Sequence, residues 1–249
     1  MKIVSFNVNG IRAAVKKGLL DWLKDNQPDI LCLQEVKAMK EQMSLDDFHG
    51  LGYAVHVHSA EKKGYSGVAV LTKLKARPLN HALNHDLLDK EGRVLALDFG
   101  NFTLINAYFP SGTTPGRQAL KMDFLDAFDR FIKDKPSTII TGDFNICHHA
   151  IDIHDPIKNI KTPGFLPEER AWMDALLEKG FVDAFRIYRQ EADQYSWWSY
   201  RTKARERNKG WRIDYIMVPK TMVKKVSDAG HDYQSYHSDH CPVWASMDI

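Results

Sequence analysis

Cysteine is scarce in this 249-residue chain: Cys32, Cys147 and Cys241 have neither paired spacing nor an even count. A disulfide framework and a cysteine zinc site are thereby excluded, and a reducing compartment is expected. No apolar run approaches the roughly eighteen residues of a membrane span, and the N-terminus enters a strand pattern without an apolar signal core. The expectation is a cytoplasmic protein with no membrane segment. An excess of one charge is also missing, since 34 Lys and Arg stand against 32 Asp and Glu, a net charge of +2. Any anionic partner must therefore be held by a local patch rather than by overall charge. Linkers, repeats and low-complexity runs are absent, so residues 1–249 read as one domain with a large core.

What is present is a pattern of short strands and helices. Val4, Phe6 and Val8 alternate with Ser5, Asn7 and Asn9, the period of a half-buried strand with Asn7 at its end. Helical spacing from Ile11 through Val15, Leu19, Trp22 and Leu23 predicts one helix, stopped by Pro28. The apolar run Ile30 to Leu33 then predicts a strand covered on both faces, with Gln34 and Glu35 directly after it. Further strands are expected at Tyr53 to His58, Val68 to Leu71, Val94 to Phe99 and Phe102 to Tyr108, the last two joined by the tight turn Gly100-Asn101. After an exposed loop from Ser111 to Gly116, Leu120, Phe124, Leu125, Phe128, Phe131 and Ile132 mark a helix with Lys135-Pro136 as its stop. A buried strand from Ser137 leads into Thr141-Gly142-Asp143-Phe144-Asn145, where strand alternation would point Asp143 and Asn145 the same way. Ile146 to Leu166 shows no period, and a loop so long in a compact domain is uncommon unless it does something. A helix from Pro167 and strands at Tyr195 to Tyr200, Ile213 to Val218 and Val243 to Met247 complete an α/β sandwich of two mixed sheets flanked by helices.

The polar residues at predicted strand ends are Asn7, Glu35, Tyr108, Asp143, Asn145, Asp214, Asp239 and His240. Each carboxylate alone reads as an ordinary surface residue, and spacing does not make them converge. If they do, a cation or a shared proton must offset their repulsion, and Mg²⁺ suits an oxygen donor set. The stretch Trp197 to Arg212 holds three of the six tryptophans among six basic residues. It reads equally as a nucleic-acid surface or as a solvated basic loop whose tryptophans belong to the core.

Six motifs occur in order along the chain: Ser5-Phe6-Asn7-Val8-Asn9-Gly10-Ile11-Arg12, Leu33-Gln34-Glu35-Val36-Lys37, Gly142-Asp143-Phe144-Asn145-Ile146, Gly164-Phe165-Leu166-Pro167-Glu168-Glu169-Arg170, Gly210-Trp211-Arg212-Ile213-Asp214-Tyr215-Ile216 and Ser238-Asp239-His240-Cys241-Pro242. Together they resemble the exonuclease III family of apurinic/apyrimidinic endonucleases, within the endonuclease/exonuclease/phosphatase superfamily. The resemblance implies a deoxyribonuclease I-like, four-layer sandwich with its site between the edges of the two sheets. It implies a DNA repair phosphodiesterase that cleaves 5′ to abasic sites in double-stranded DNA and processes recessed 3′ ends, working as a monomer. Glu35 would be the principal Mg²⁺ ligand, with Mn²⁺ able to substitute, Asn7 assisting and Asp239 near a second position. Asp143 and Asn145 would handle the attacking water, His240 oriented by Asp214 would stabilise the phosphate, and Tyr108 would act as a hydrogen-bond donor or as a phenolate. Trp197, Trp211 and Ile213 would line a pocket for an extruded nucleotide. Arg117, Asn159, Arg201 and Arg212 would contact DNA. Thr162 and Asn9 depart from residues common in the family. His148, His149, Asp152, His154 and Asp155 look like a soft-metal cluster, which the family's related loop turns into an expectation of DNA contact or plain solvation.

Overall fold

The computed structural model describes residues 1–133, 135 and 137–249. In chain order the first half comprises β1 (Lys2–Asn7), α1 (Ile11–Lys16), α2 (Leu19–Asn26), β2 (Ile30–Gln34), α3 (Leu45–Gly50), β3 (Ala54–His58), β4 (Val68–Thr72), β5 (Arg77–Pro78), β6 (Val94–Asp98) and β7 (Thr103–Tyr108). The second half comprises α4 (Arg117–Ile132), β8 (Thr138–Asp143), α5 (Pro156–Asn159), α6 (Pro167–Glu178), β9 (Phe181–Asp183), α7 (Ala184–Tyr188), β10 (Asp214–Pro219), β11 (Val226–His231) and β12 (Val243–Met247). The strands form two six-stranded sheets, ordered β11-β12-β1-β2-β4-β3 and β5-β6-β7-β8-β10-β9. Each has one parallel pair at its centre, β1 with β2 and β7 with β8, and antiparallel pairs elsewhere.

Alternating side chains give each central strand two apolar faces, and the core is accordingly layered. Ile3, Ile30, Cys32, Leu104, Ile139 and Ile216 meet between the sheets. Val4, Phe6, Leu31 and Leu33 pack outward under Ile11, Leu19, Leu23 and Phe48 of α1 to α3. Ile105, Ile140 and Met217 pack the other way, under Phe124 and Phe128 of α4 and Trp172 of α6. That is the four-layer sandwich the motifs implied. Among the described residues no helix is long and apolar enough to cross a membrane.

Several elements differ from the sequence reading. The helix expected from Ile11 to Leu23 is two, because Gly18 adopts φ +96° between α1 and α2 and interrupts the helical backbone. Tyr195 to Tyr200 is not a strand, since only Trp197 makes bridges, to Trp211 and His240. The short β5 and β9 carry too little pattern to be seen, and β11 includes Asp228 and Gly230. Helix α4 ends at Ile132, and Pro136, expected as part of its stop, lies outside the described residues.

The long segment after β8 is held by buried ion pairs. Asp152 accepts from Arg212 Nε at 2.7 Å and pairs also with Arg186, while Arg212 Nη1 reaches Asp183 at 2.7 Å. Burial opposes ionisation of Asp152, but Arg212 and then Arg186 outweigh it and hold its carboxyl well below 3.8. The contribution is complete above that value and is lost as pH falls below it, because the unfolded chain takes up a proton that the folded chain refuses. Asp152→Asn should therefore cost about 3–5 kcal/mol by stranding buried arginine charge. It should also flatten the fall in stability between pH 5 and 3, as read by urea unfolding at each pH; an unfolding midpoint equal to that of the parent across this range would refute the account.

Candidate active site

The strand ends converge at one edge of the sandwich. In the second sheet, Asp143 closes β8 and lies in register with Tyr108 on β7 and with Asp214 on β10. Asp143 and Asp214 are each only 1% exposed, so two neighbouring carboxylates are denied water. Their compensation comes from elsewhere in the chain. Asp214 Oδ2 accepts from Ser196 Oγ at 2.6 Å and pairs with His240 Nδ1 at 2.8 Å. Asp143 Oδ2 accepts from Asn7 Nδ2, on the other sheet, at 2.8 Å, and Oδ1 accepts from the Asn145 backbone at 2.8 Å.

His240 bridges the pair, its Nε2 standing 3.9 Å from Asp143 Oδ2. Burial alone would lower its pKa, but Asp214 and then Asp143 and Asp239 raise it to about 10, so the ring is an imidazolium at neutral pH. Burial first, and then Asp214, drive Asp143 above the ordinary carboxylate range, against the opposing pull of His240 and Asn7. A buried carboxylate that gains its charge late is suited to accepting a proton. Burial, followed by Glu35, likewise holds the Tyr108 phenol well above 10. Of the two roles open to Tyr108, this burial disfavours the phenolate.

Beside this pair lies an acidic rim. Glu35 Oε2 accepts from Asn7 Nδ2 at 3.2 Å, and Oε1 pairs with Lys37 Nζ at 2.9 Å. Lys37 also donates to Asn9 Oδ1 at 2.6 Å, and Asn9 Nδ2 donates to Asp239 Oδ1 at 3.0 Å. Asp239 Oδ2 accepts from Trp197 Nε1 at 3.1 Å. Four carboxylates, of which Asp143 is held above the ordinary range, thus face two cations, Lys37 and His240. Asp143, Asp214 and His240 come close enough together, within 4.8 Å, to hold a cation by distance alone. Asn9, Glu35, Lys37 and Asn145 all have φ between +44° and +54°, a conformation L residues seldom adopt and one that clusters at working sites.

The expected pocket residues are brought together. Trp197 and Trp211 meet edge to face at 5.9 Å and pack with Ile213 and Phe165. Arg201 is exposed. Four expectations change. Arg212 is 0% exposed and bound to Asp152 and Asp183, so it is a strut of the fold and not a DNA contact. Asn159 spends its amide nitrogen on the carbonyls of His154 and Asp155, which shapes its own loop. Asn145 does reach Asp143, at 3.2 Å, but from a left-handed turn beyond the strand rather than by strand alternation. The histidine-rich loop is not plainly solvated, because Asp152 is buried and committed to arginines and His148 is buried against Asp174 at 2.7 Å. Ser196 and Lys37 were missed as site residues. Ser196 sits in a stretch that read as strand, and nothing local marks a serine whose partner is eighteen residues away.

Comparison with known proteins agrees with this geometry. A model of the Endonuclease/Exonuclease/phosphatase family matches residues 4–244. The chain is 39% identical over 257 residues to an exodeoxyribonuclease of Bacillus subtilis, covering 100% of both. It is 37% identical over 254 residues to a DNA repair nuclease of Danio rerio, covering 98% of this chain and 81% of the relative. Among solved structures, an AP endonuclease from Archaeoglobus fulgidus superposes with a TM-score of 0.90 at 29% identity, and a 3′-5′ exonuclease from Neisseria meningitidis with 0.92 at 28%, each covering 100% of both chains. With nearly the whole chain matched and the buried carboxylate pair and acidic rim in place, the chain belongs to the endonuclease/exonuclease/phosphatase family.

Proposed function

We propose that this chain is a Mg²⁺-dependent DNA repair phosphodiesterase that cleaves double-stranded DNA 5′ to an abasic site and also trims recessed 3′ ends, acting as a monomer in the cytoplasm. The observation that carries the reading is the buried Asp143–His240–Asp214 arrangement beside an all-oxygen acidic rim and an aromatic pocket. Carboxylates without thiol ligands fit a hard divalent cation. Glu35 and Asn7 would hold it, with Asp239 beside a second position and Mn²⁺ as a substitute. Bound there, it would neutralise charge on the phosphate as a Lewis acid.

The chain's own groups account for the remaining steps. Asp143 accepts the proton of the attacking water, which Asn145 orients through its side-chain oxygen. The His240 imidazolium donates to the phosphate as negative charge grows there, and Asp214, fixed by Ser196, keeps that ring aimed. The Tyr108 hydroxyl adds a second donor. Trp197, Trp211 and Ile213 receive the abasic sugar, which costs least to extrude because it is small and poorly stacked. Arg201 supplies phosphate contact at the rim.

The direct test is cleavage of a duplex with one synthetic abasic site, beside an undamaged duplex with a recessed 3′ end, in Mg²⁺ or in chelator. Metal-dependent nicking at the lesion is expected, and folded protein that cuts neither duplex would overturn the assignment. In single-turnover cleavage the rate should rise with pH in a limb above the ordinary carboxylate pKa of 3.8, as Asp143 ionises. Asp143→Asn should slow cleavage about 10²- to 10⁴-fold and abolish that limb; a variant that is slow but keeps the limb would assign the proton to another group.

A further inference from the structure

Behind Tyr108 lies a partly buried ion cluster that the proposed chemistry does not use. Arg93 is 3% exposed and touches Tyr108 in three ways. Its backbone carbonyl accepts from Tyr108 N at 2.8 Å, its Nη1 donates to the Tyr108 carbonyl at 2.9 Å, and its guanidinium lies 4.8 Å from the centre of the Tyr108 ring. The other nitrogens of Arg93 are engaged too, Nε with Glu91 at 2.5 Å and Nη2 with the Tyr65 hydroxyl at 3.0 Å. Arg117 closes the cluster from the start of α4. Its Nη1 donates to Glu91 at 3.0 Å and its Nη2 to the Tyr65 hydroxyl at 2.7 Å. The backbone allows little slack, because Gly92 has φ +58° and a Cβ there would lie 2.5 Å from the Ser59 carbonyl carbon.

A guanidinium whose nitrogens are all hydrogen-bonded inside the protein is a rigid plate against the tyrosine face. Arg117, expected on the DNA, spends its fork on the same carboxylate and hydroxyl. We propose that Arg93 and Arg117, tied together through Glu91 and Tyr65, are positioning residues that aim the Tyr108 hydroxyl at the scissile phosphate and act on turnover through it. The proposal rests on the reading of Tyr108 as a phosphate donor. Its consequence is that Arg117 serves the rate of cleavage more than the affinity for DNA, since a displacement of about 1 Å in a reacting group costs on the order of 10²-fold.

The test is a double-mutant cycle in single-turnover cleavage of the abasic duplex, with Kd for that duplex measured alongside. Arg117→Gln, at a partly exposed position, and Arg93→Lys, which keeps the charge but loses the fork, should each slow cleavage about tenfold or more with Kd within about twofold. In a Tyr108→Phe background, the same substitutions should cost nothing further. Should Arg93→Lys fail to fold, Arg117→Gln carries the cycle by itself. Losses that appear in Kd, or that multiply with a slow Tyr108→Phe, would overturn the clamp alone. A Tyr108→Phe enzyme cleaving at the parent rate would remove the reading of Tyr108 and the clamp with it.

Discussion

Two carboxylates are placed opposite one another, in register on adjacent strands and out of reach of water. Asp143 and Asp214 would repel strongly if both were ionised and uncompensated, and neither can turn outward without leaving its strand end. The compensating groups come from remote parts of the chain: His240 from just before the last strand, Ser196 from the loop after α7, and Asn7 from the opposite sheet. The site can form only when both sheets and both ends of the chain are in place. Within β8, Gly142 has φ +145° and a Cβ there would lie 1.8 Å from the Ala107 carbonyl oxygen, so the strand has no room for a side chain beside the pair.

Such a constraint demands that the sheets not slide. Directly beneath the site, Gln34 Nε2 donates to Asn106 Oδ1 at 2.7 Å, and Asn106 Nδ2 donates to the carbonyls of Leu33 and Ala69 at 3.0 and 2.9 Å. These amides are wholly buried in an otherwise apolar interface. A slip of one residue would leave several polar groups unpaired, a far larger penalty than the modest net gain of the bonds themselves. Gln34 precedes Glu35, and Asn106 stands two residues before Tyr108. The polar lock between the sheets thus fixes Glu35 and Tyr108 relative to one another.

Much of this could be read from the residues. Strand ends carrying Asn7, Glu35, Tyr108 and Asp143 were visible because period two and β-branched runs are local signals, and the Gly100-Asn101 hairpin was marked by its turn residues. The resemblance of six ordered motifs then supplied their convergence, which no spacing could. What stayed hidden was tertiary. Gly18 splits a helix that its apolar spacing would continue. Ser196 finds its role only through Asp214, and a bridge at Trp197 replaces a strand that alternation suggested. Arg212 illustrates the difficulty best, since its neighbours in sequence are basic and aromatic while its neighbours in space are Asp152 and Asp183.

That case bears on how a nearly neutral chain meets a polyanion. Arg93, Arg186, Arg212 and Lys121 are buried or nearly so and paired with carboxylates, so they add no field at the surface. Lys121 donates to the Asn145 carbonyl at 2.7 Å and to Glu169 at 2.6 Å, which steadies the turn behind the catalytic carboxylate. Arg205 is drawn between Trp198 and Tyr236 and donates to two backbone carbonyls. Counting basic residues in the Trp197 to Arg212 stretch therefore overstates its electrostatic footprint. Buried cations paired with carboxylates in this way serve as struts of the fold, whereas Arg201 stays exposed. Because the struts are neutralised in place, they can shape the site without adding to the field at the surface.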